Sequence, residues 1–402
     1  MIFRNRSLAR IGAGALLASA ALTAFGSPAQ ASGTETDLAI EVAGTRVAAN
    51  AQGKIAFAKV TNNGKNTPSE LAVRVDVSKV DFDKVAVVPA VDDGCEVEGS
   101  DSKPTAFVCY AAKDALPGAG ETIDLPLVLF RFEAKGTYKA PISFKLVSKD
   151  DTNPDNNTKN ATAEFSDQSG PDLSVVAEDV KQAVKITDGN PTYSGDLYAG
   201  GRSALTYFIS NQGDQAAAGL KITVKLPKGV TPIEVEKGCE YAADKSAFTC
   251  TYENFGLIPQ DEDTNPDDQL YSAYGFYHVF DVAADVKPGT LKGGLVSVEP
   301  IGTASMKGMR TAAVTLPANV TGMQAKDVDN SDNSDGYAVI VAAKGGAGGG
   351  DDNGGGLPVT GAQTGLVVGI GGAVLVAGAA MFMVARRRRV VLVTPGDEKS
   401  AV

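Results

Sequence analysis

Four cysteines are the residues of this sequence whose types and spacing most directly suggest a reaction. They fall into two closely spaced sets, Cys95 with Cys109 and Cys239 with Cys250. An even number of thiols is typical of disulfide bonds in an exported protein. There is no Cys-x-x-Cys motif, and the single histidine does not complete the usual zinc ligand sets, so no metal centre is expected from these residues. The alternative, free reactive thiols, is left open at this point.

Two groups of aspartates could supply oxygen ligands for a calcium ion. They are Asp327, Asp329, Asp332 and Asp335 in one group, and Asp261, Asp263, Asp267 and Asp268 in the other. Calcium takes roughly six to eight oxygen ligands, but neither stretch has the glycine and the distal glutamate of an EF-hand loop. We therefore favour solvated turns and predict no cofactor, with calcium at these loops as the weaker alternative.

His278 is the remaining candidate for catalysis. It alternates with Tyr274, Phe276 and Phe280, which places the four side chains on one face of a predicted strand. A catalytic triad would need a partnered nucleophile, and no Gly-x-Ser-x-Gly motif precedes this histidine. We interpret the four residues as core and cross-strand contacts rather than a sugar-binding platform. The sequence predicts no catalytic residue, and the protein is not expected to be an enzyme.

The elements that must position these residues occur twice, at a period of about 140 residues. Four pairs of short matches define the repeat: Asp37-Leu38 with Asp172-Leu173, Asn62-Asn63-Gly64 with Asn211-Gln212-Gly213, Gly94-Cys95-Glu96 with Gly238-Cys239-Glu240, and Ala106-Phe107-Val108-Cys109 with Ala247-Phe248-Thr249-Cys250. Because the cysteines hold equivalent places in the two copies, we predict one disulfide within each copy. In a chain-entropy model, closing a loop of about 15 residues contributes roughly 3 kcal/mol.

Each copy reads as a series of short strands. Apolar and polar residues alternate over residues 55–60, 71–77 and 138–147 in the first copy, and over residues 204–209, 220–225 and 274–282 in the second. About seven strands per copy with turn signals between them predict an all-β fold of two tandem immunoglobulin-like β-sandwich domains, residues 32–168 and 169–343. The absence of tryptophan and the close spacing of the cysteines depart from the antibody pattern.

The first 31 residues resemble a secretory signal peptide. Arg4, Arg6 and Arg10 precede a short apolar run, and residues 29–31 (Ala-Gln-Ala) give the small-x-small pattern of a cleavage site. We expect cleavage after Ala31. The apolar run is too short and too rich in glycine and alanine for a membrane span.

The other end of the chain carries several signals in a fixed order. Residues 344–356 form a glycine-rich linker, and residues 364–385 form an uncharged apolar stretch of about 30 Å as a helix, which is long enough to cross a bilayer. Between them lies Leu357-Pro358-Val359-Thr360-Gly361. The apolar stretch is followed by Arg386, Arg387, Arg388 and Arg389, a stop-transfer cluster that keeps residues 386–402 in the cytoplasm.

This arrangement resembles the cell-wall sorting signal of LPxTG-type surface proteins from Gram-positive bacteria. The resemblance implies that a sortase attacks the carbonyl of Thr360, releases the segment from Gly361 onward, and joins Thr360 to a peptidoglycan precursor. The membrane would hold the chain before sorting. Residues 390–402 extend the tail further than is usual, so an uncleaved, membrane-tethered ectodomain is the alternative.

The turn, strand and loop sequences of the two copies, including Leu226-Pro227-Lys228-Gly229-Val230, resemble an Ig-like surface-repeat domain of unknown function found in bacterial wall proteins. The resemblance covers residues 36–342, implies a spacer or binding module, and brings no catalytic residues. A Lys–Asn isopeptide bond, as in some wall adhesins, is a further alternative, although the sequence singles out no pair.

The charge balance indicates a soluble, self-repelling exterior and argues against one class of partner. The net charge is −11 for the whole chain, and becomes about −17 once the three basic residues before Ser32, and the five basic and two acidic residues after Thr360, are removed. Such an acidic protein is not expected to bind nucleic acid. We predict a structural or adhesive protein on the extracellular face of the cell wall, with an unknown extracellular ligand as a potential partner and a wall-associated hydrolase as the less favoured alternative.

Overall fold

The computed structural model describes residues 35–90, 94–100, 103–132, 136–187, 190–233, 238–253, 255–263, 270–301, 303–304, 320–323 and 330–344. The predicted signal peptide, sorting motif, membrane span and cytoplasmic tail lie outside these ranges, as does the glycine-rich linker apart from its first residue. Within the described ranges, no helix has both the length and the apolar character that a membrane crossing requires.

Strands dominate the described residues, and the all-β prediction is confirmed. The first repeat, as we call the part that ends at Phe165, contains β1 (Leu38–Val42), β2 (Thr45–Val47), β3 (Gly53–Asn62), β4 (Ala72–Asp76), β5 (Val85–Pro89), β6 (Cys95–Ser100), β7 (Lys103–Tyr110), β8 (Thr122–Arg131), β9 (Tyr138–Val147) and β10 (Thr158–Phe165).

The second repeat begins at Leu173. It contains β11 (Leu173–Ala177), β12 (Gln182–Thr187), β13 (Asn190–Asp196), β14 (Arg202–Asn211), β15 (Ala216–Ala217), β16 (Leu220–Lys225), β17 (Val230–Pro232), β18 (Cys239–Tyr241), β19 (Ala247–Tyr252), β20 (Ala273–Val282), β21 (Gly289–Pro300), β22 (Thr303–Ala304), β23 (Val320–Met323) and β24 (Ser334–Val341). Short 3₁₀ turns occupy Lys113–Ala115, Pro154–Asn156, Gln260–Glu262 and Asn330–Asp332.

The two repeats share one strand order. In the first repeat the sheets run β1-β3-β8-β5 and β2-β10-β9-β4-β7-β6. In the second repeat they run β11-β14-β20-β17, with β23 also on β20, and β24-β21-β16-β19-β18. The second repeat adds two small sheets, β12-β13 and β15-β22. Both repeats have more strands than the roughly seven predicted, and five of the described strands have only two or three residues, too short to show a period of two.

Each repeat has its own core between its two sheets. Val60 and Leu129 of one sheet meet Val75 and Phe144 of the other in the first repeat. Tyr207, Phe276, Ile222, Val296 and Val339 form the equivalent core in the second repeat. No residue belongs to both cores, and the division falls between Phe165 and Leu173. This two-layer packing is consistent with a β-sandwich, while the immunoglobulin-like assignment stays a prediction.

Both disulfide bonds are present and have equivalent places. Cys95 is bonded to Cys109 across β6 and β7, and Cys239 to Cys250 across β18 and β19. In each bridge the Cα atoms are 4.0 Å apart. The sequence suggested that each bridge closes a loop between strands. In the structure each bridge instead links directly paired residues of an edge strand and the adjacent strand.

The repeated Asn-x-Gly motif is explained by a buried asparagine. Asn211 Oδ1 accepts hydrogen bonds from the backbone N–H groups of Gly213 and Asp172, and its Nδ2 donates to the carbonyls of Gln215 and Leu257. Asn62 makes the same turn in the first repeat. Both asparagines are fully buried. A Cβ at Gly213 would collide with the carbonyl oxygen of Gly170, so the turn needs glycine.

Replacing Asn211 by alanine is expected to lower the free energy of unfolding by about 3 kcal/mol, because buried backbone groups lose their partners. Urea denaturation measures this change, with the exposed Asn160 of β10 replaced by alanine as the control. Equal stability of the two variants would show that the turn does not depend on Asn211.

Candidate functional site at the junction of the repeats

His278 is a buried residue of the second repeat. It lies on β20 with 8% of its surface exposed, and its Nε2 is 2.8 Å from Tyr207 Oη. Its ring stacks on that of Tyr207 and meets the ring of Phe248 edge-on. Tyr274, Phe276 and Phe280 are buried as well, as expected for core residues. These contacts place the histidine among the aromatic core residues of the second repeat.

The described members of the two aspartate groups are bound by protein donors. Asp261 Oδ2 accepts the N–H of Gln52 at 3.1 Å, and Asp263 Oδ2 accepts both the N–H and the hydroxyl of Ser272. Asp267, Asp268, Asp327 and Asp329 lie outside the described residues. Within the described ranges, no group of three or more acidic, histidine or cysteine side chains has a geometry that could hold a metal ion.

The prediction that the aspartates of residues 327–335 lie in a solvated turn is wrong for Asp335. The sequence placed it in a solvated turn, but it is 3% exposed and pairs with Lys59 of the first repeat. Asp332 of the same turn is partly buried. At Asp335 the polar side chain is explained by its contact with Lys59 of the first repeat and not by exposure to solvent.

Lys59 is the centre of the first group of junction charges. Its Nζ lies 2.8 Å from Asp124 Oδ1, its cross-strand neighbour on β8, and 2.9 Å from Asp335 Oδ1 on β24. Asp335 Oδ2 in turn accepts the N–H of Ala177 at 2.9 Å. Burial disfavours the charge on Lys59, but attraction to the two carboxylates outweighs it and the pKa of Lys59 is raised. Burial likewise raises the pKa of Asp335, to about 6.

Asp179 bridges the repeats through the backbone. Its Oδ2 accepts the N–H of Thr122 in the first repeat at 2.8 Å, and its Oδ1 accepts the N–H of Ala338 in the second at 2.7 Å. Burial raises the pKa of Asp179 to about 6 in spite of these two hydrogen bonds. Burial, reinforced by the nearby charge of Asp124, raises the pKa of the neighbouring Glu178 to about 7.

Lys54 is the centre of the second group. The lysine is 2% exposed, and its Nζ donates to the carbonyl of Arg46 at 2.9 Å. Its charge acts on Asp172 and Asp332 of the second repeat. Burial still raises the pKa of Asp172 to about 6 and that of Asp332 to about 7, because the attraction of Lys54 only partly offsets the loss of solvent.

Polar contacts at the rim complete the junction. Asp214 Oδ2 accepts the N–H of Asn50 at 3.1 Å and the side-chain amide of Asn50 at 2.8 Å. Lys181 pairs with Glu121 at 3.1 Å, and Lys292 Nζ donates to Asn63 Oδ1 at 3.0 Å. The described residues between Glu35 and Lys344 form one compact unit that includes both repeats.

A surface cavity of about 480 Å³ shares Lys292 with the rim of the junction. It is lined by residues 225–231 with Asp244, Ser246, Lys292 and Gly293, and none of the buried junction carboxylates reaches it. Buried acids with raised pKa values are often functional, but here they contact the other repeat instead of a substrate-sized space. The arrangement is suited to holding two repeats in a fixed relation.

Sequence reasoning did not identify Lys54 and Lys59 as junction residues. Both lie in β3, Gly-Lys-Ile-Ala-Phe-Ala-Lys-Val-Thr-Asn, where charged residues interrupt a run of small and apolar ones. The alternation over residues 55–60 puts Lys59 and Val60 on opposite faces of the strand, but the period of a strand does not tell what packs on the face away from the core.

Comparison with known proteins leaves function to be argued from the residues. No protein-family model and no curated protein matches the chain. The solution structure of CaCohA2 from Clostridium acetobutylicum aligns at 15% identity with a TM-score of 0.23, over 33% of this chain and 92% of that one. The C-terminal domain of the Streptococcus pyogenes antigen I/II-family protein AspA aligns at 12% identity with a TM-score of 0.21, over 66% and 95%. At these values the likenesses carry no argument about activity or partners.

Proposed function

We propose that this chain is a surface protein that a sortase joins to the cell wall at Thr360, and that its two repeats act as a structural or adhesive module outside the cell. Anchoring is supported by the order of linker, pentapeptide, apolar stretch and arginines along the sequence. Export is supported by the two disulfide bonds, which persist in oxidising surroundings.

The structural role is carried by one observation, the junction between the repeats. Its lysines and carboxylates bind one another and the backbone across the two repeats, as Lys59, Asp179 and Asp335 do. A module whose repeats are held together in this way could hold a ligand-binding surface away from the wall. It could equally act as a spacer. The partners we propose are the sortase, the peptidoglycan precursor and an unidentified extracellular ligand.

Enzymatic release from purified walls tests this proposal. Walls boiled in detergent should keep the protein, and digestion of the glycan by a muramidase should release it, because only a covalent link survives boiling. A matched sample of a known membrane protein should be removed by the detergent alone. Release of this chain by detergent alone would favour the alternative, an uncleaved ectodomain tethered to the membrane.

A wall-associated hydrolase is the competing class, and it would require paired carboxylates or an activated nucleophile in a cleft. Incubating the purified protein with wall and glycan substrates separates the two classes. We expect no turnover, and measurable turnover would refute the non-enzymatic proposal.

A further inference from the structure

Carboxylates outnumber lysines in both groups of charges between the repeats. In the first group, Asp124 and Asp335 pair with Lys59, and the charge of Asp124 also acts on Glu178 and Asp179. Glu121, which also acts on Asp179, is paired with Lys181. Tyr193 adjoins Glu178 and also interacts with Tyr277, and neither tyrosine brings a positive charge.

The second group shows the same imbalance. The charge of Lys54 acts on Asp172 and Asp332 of the second repeat, and the charges of Arg46 and Asp214 also act on Asp172. Arg46 is engaged by Glu164 at 3.8 Å. Asp172 Oδ1 and Asp332 Oδ1 are buried and receive no hydrogen bond from the described residues. A buried carboxylate oxygen without a donor is strongly disfavoured when ionised.

We propose that the junction between the repeats is a proton-controlled contact, closed in mildly acidic surroundings and loosened as they become neutral to alkaline. Excess negative charge in a desolvated contact is relieved either when the repeats separate or when carboxylates bind protons. The inference concerns regulation of the junction and does not depend on how the chain is attached to the cell.

The direction of the effect follows from the raised pKa values. Burial raises the pKa of Asp172 and Asp179 to about 6, and that of Glu178 and Asp332 to about 7. Between about pH 4 and pH 7, the closed junction therefore holds protons that separated, solvated repeats would have released. Lowering the pH through this window favours the closed state, and raising it favours the open state. Lys59 stays charged throughout, because its own pKa is raised.

A divalent cation is the other way to neutralise such a contact, and the geometry favours protons. Asp179 already accepts two backbone N–H groups, and Asp335 accepts the N–H of Ala177 while it pairs with Lys59. The described side chains show no convergence suited to a metal ion. Calcium therefore enters the experiment as the competing counter-ion.

Hydrogen exchange at backbone amides that cross the junction tests the proposal on the full-length protein. The N–H of Thr122 donates to Asp179, and the N–H of Asn50 donates to Asp214. After correction for intrinsic exchange rates, their protection factors should fall at least tenfold from pH 5.5 to pH 8.0. Those of Leu146 and Leu226, whose hydrogen bonds lie within one repeat, should change much less.

A variant with Glu178→Gln and Asp332→Asn should keep the junction amides protected at pH 8.0, because two of the carboxylates no longer ionise. Glu96→Gln, at an exposed position on β6, is the matched control and should leave the pH effect intact. Junction protection that is unchanged or greater at pH 8.0 in the unaltered protein would overturn the proposal. So would full recovery of protection at pH 8.0 on adding millimolar calcium, since the counter-ion would then be the metal.

Discussion

Replacing Thr360 by alanine is expected to move the protein from the wall fraction to the membrane fraction. If the resemblance to a sorting signal holds, the enzyme forms its intermediate at the carbonyl of Thr360, and the side chain of that residue is part of what it recognises. Pro358 fixes its own φ and biases Leu357 toward an extended conformation, which suits binding in an enzyme groove. With recognition lost, the apolar segment 364–385 would retain the chain in the bilayer.

Thr364→Ala is the matched control, because it removes the same side chain four residues further on. Its product should remain in the wall fraction at the level of the unaltered protein. Immunoblots of wall and membrane fractions are sufficient for the comparison, and nearly complete redistribution is expected for Thr360→Ala alone. If both variants fractionate like the unaltered protein, the pentapeptide has no role in localisation.

Replacing Lys59 by methionine is expected to lower the free energy of unfolding by about 3 kcal/mol. The change keeps most of the side-chain length but leaves Asp335, which is 3% exposed, without its cation. Removing one partner of a buried ion pair is costly because the remaining charge stays desolvated. Asp335→Asn added to Lys59→Met should recover much of the loss, since the uncompensated charge is then gone.

Lys139 provides the control for that measurement. It is 70% exposed and lies 3.7 Å from Glu164, so Lys139→Met should change stability by less than about 1 kcal/mol. Urea denaturation of the three variants at one pH gives the comparison. Equal effects of Lys59→Met and Lys139→Met would mean that the junction pair does not contribute to stability.

A proton-sensitive junction would matter to a protein exposed on a cell wall. Its surroundings lie outside the buffered cytoplasm, so their pH varies with the habitat of the cell. Because Asp172, Asp179, Glu178 and Asp332 act in the same direction, a change of one or two pH units alters several groups together. The relation of the two repeats, and with it any surface that both contribute to, would respond to acid.

Much of the fold could be predicted from the sequence because strands carry a local signal. Alternation over residues 138–147 and 220–225 predicted β9 and β16 with their observed bounds. The matching turn sequences predicted two copies of one domain. In the structure, Asn62 and Asn211 make the same buried turn. Each of these signals lies within a few residues of the element that it specifies.

The junction could not be predicted in the same way. Lys59 and Asp335 are 276 positions apart in the sequence, and their pairing depends on how two finished repeats pack together. A charged residue on a strand can face either solvent or an oppositely charged residue of another domain. The sequence pattern is the same in both cases. The aspartates of residues 327–335 were therefore interpreted as solvated, and the burial of Asp335 became visible only in three dimensions.

Mass spectrometry of the carboxyl terminus of protein released from cell walls tests the central claim most directly. If a sortase joins the chain to the wall, the released polypeptide should end at Thr360 and carry a peptidoglycan fragment on that residue. A polypeptide that still contains residues 366–402, recovered with the membrane, would contradict that claim and leave the pentapeptide as a coincidence of sequence.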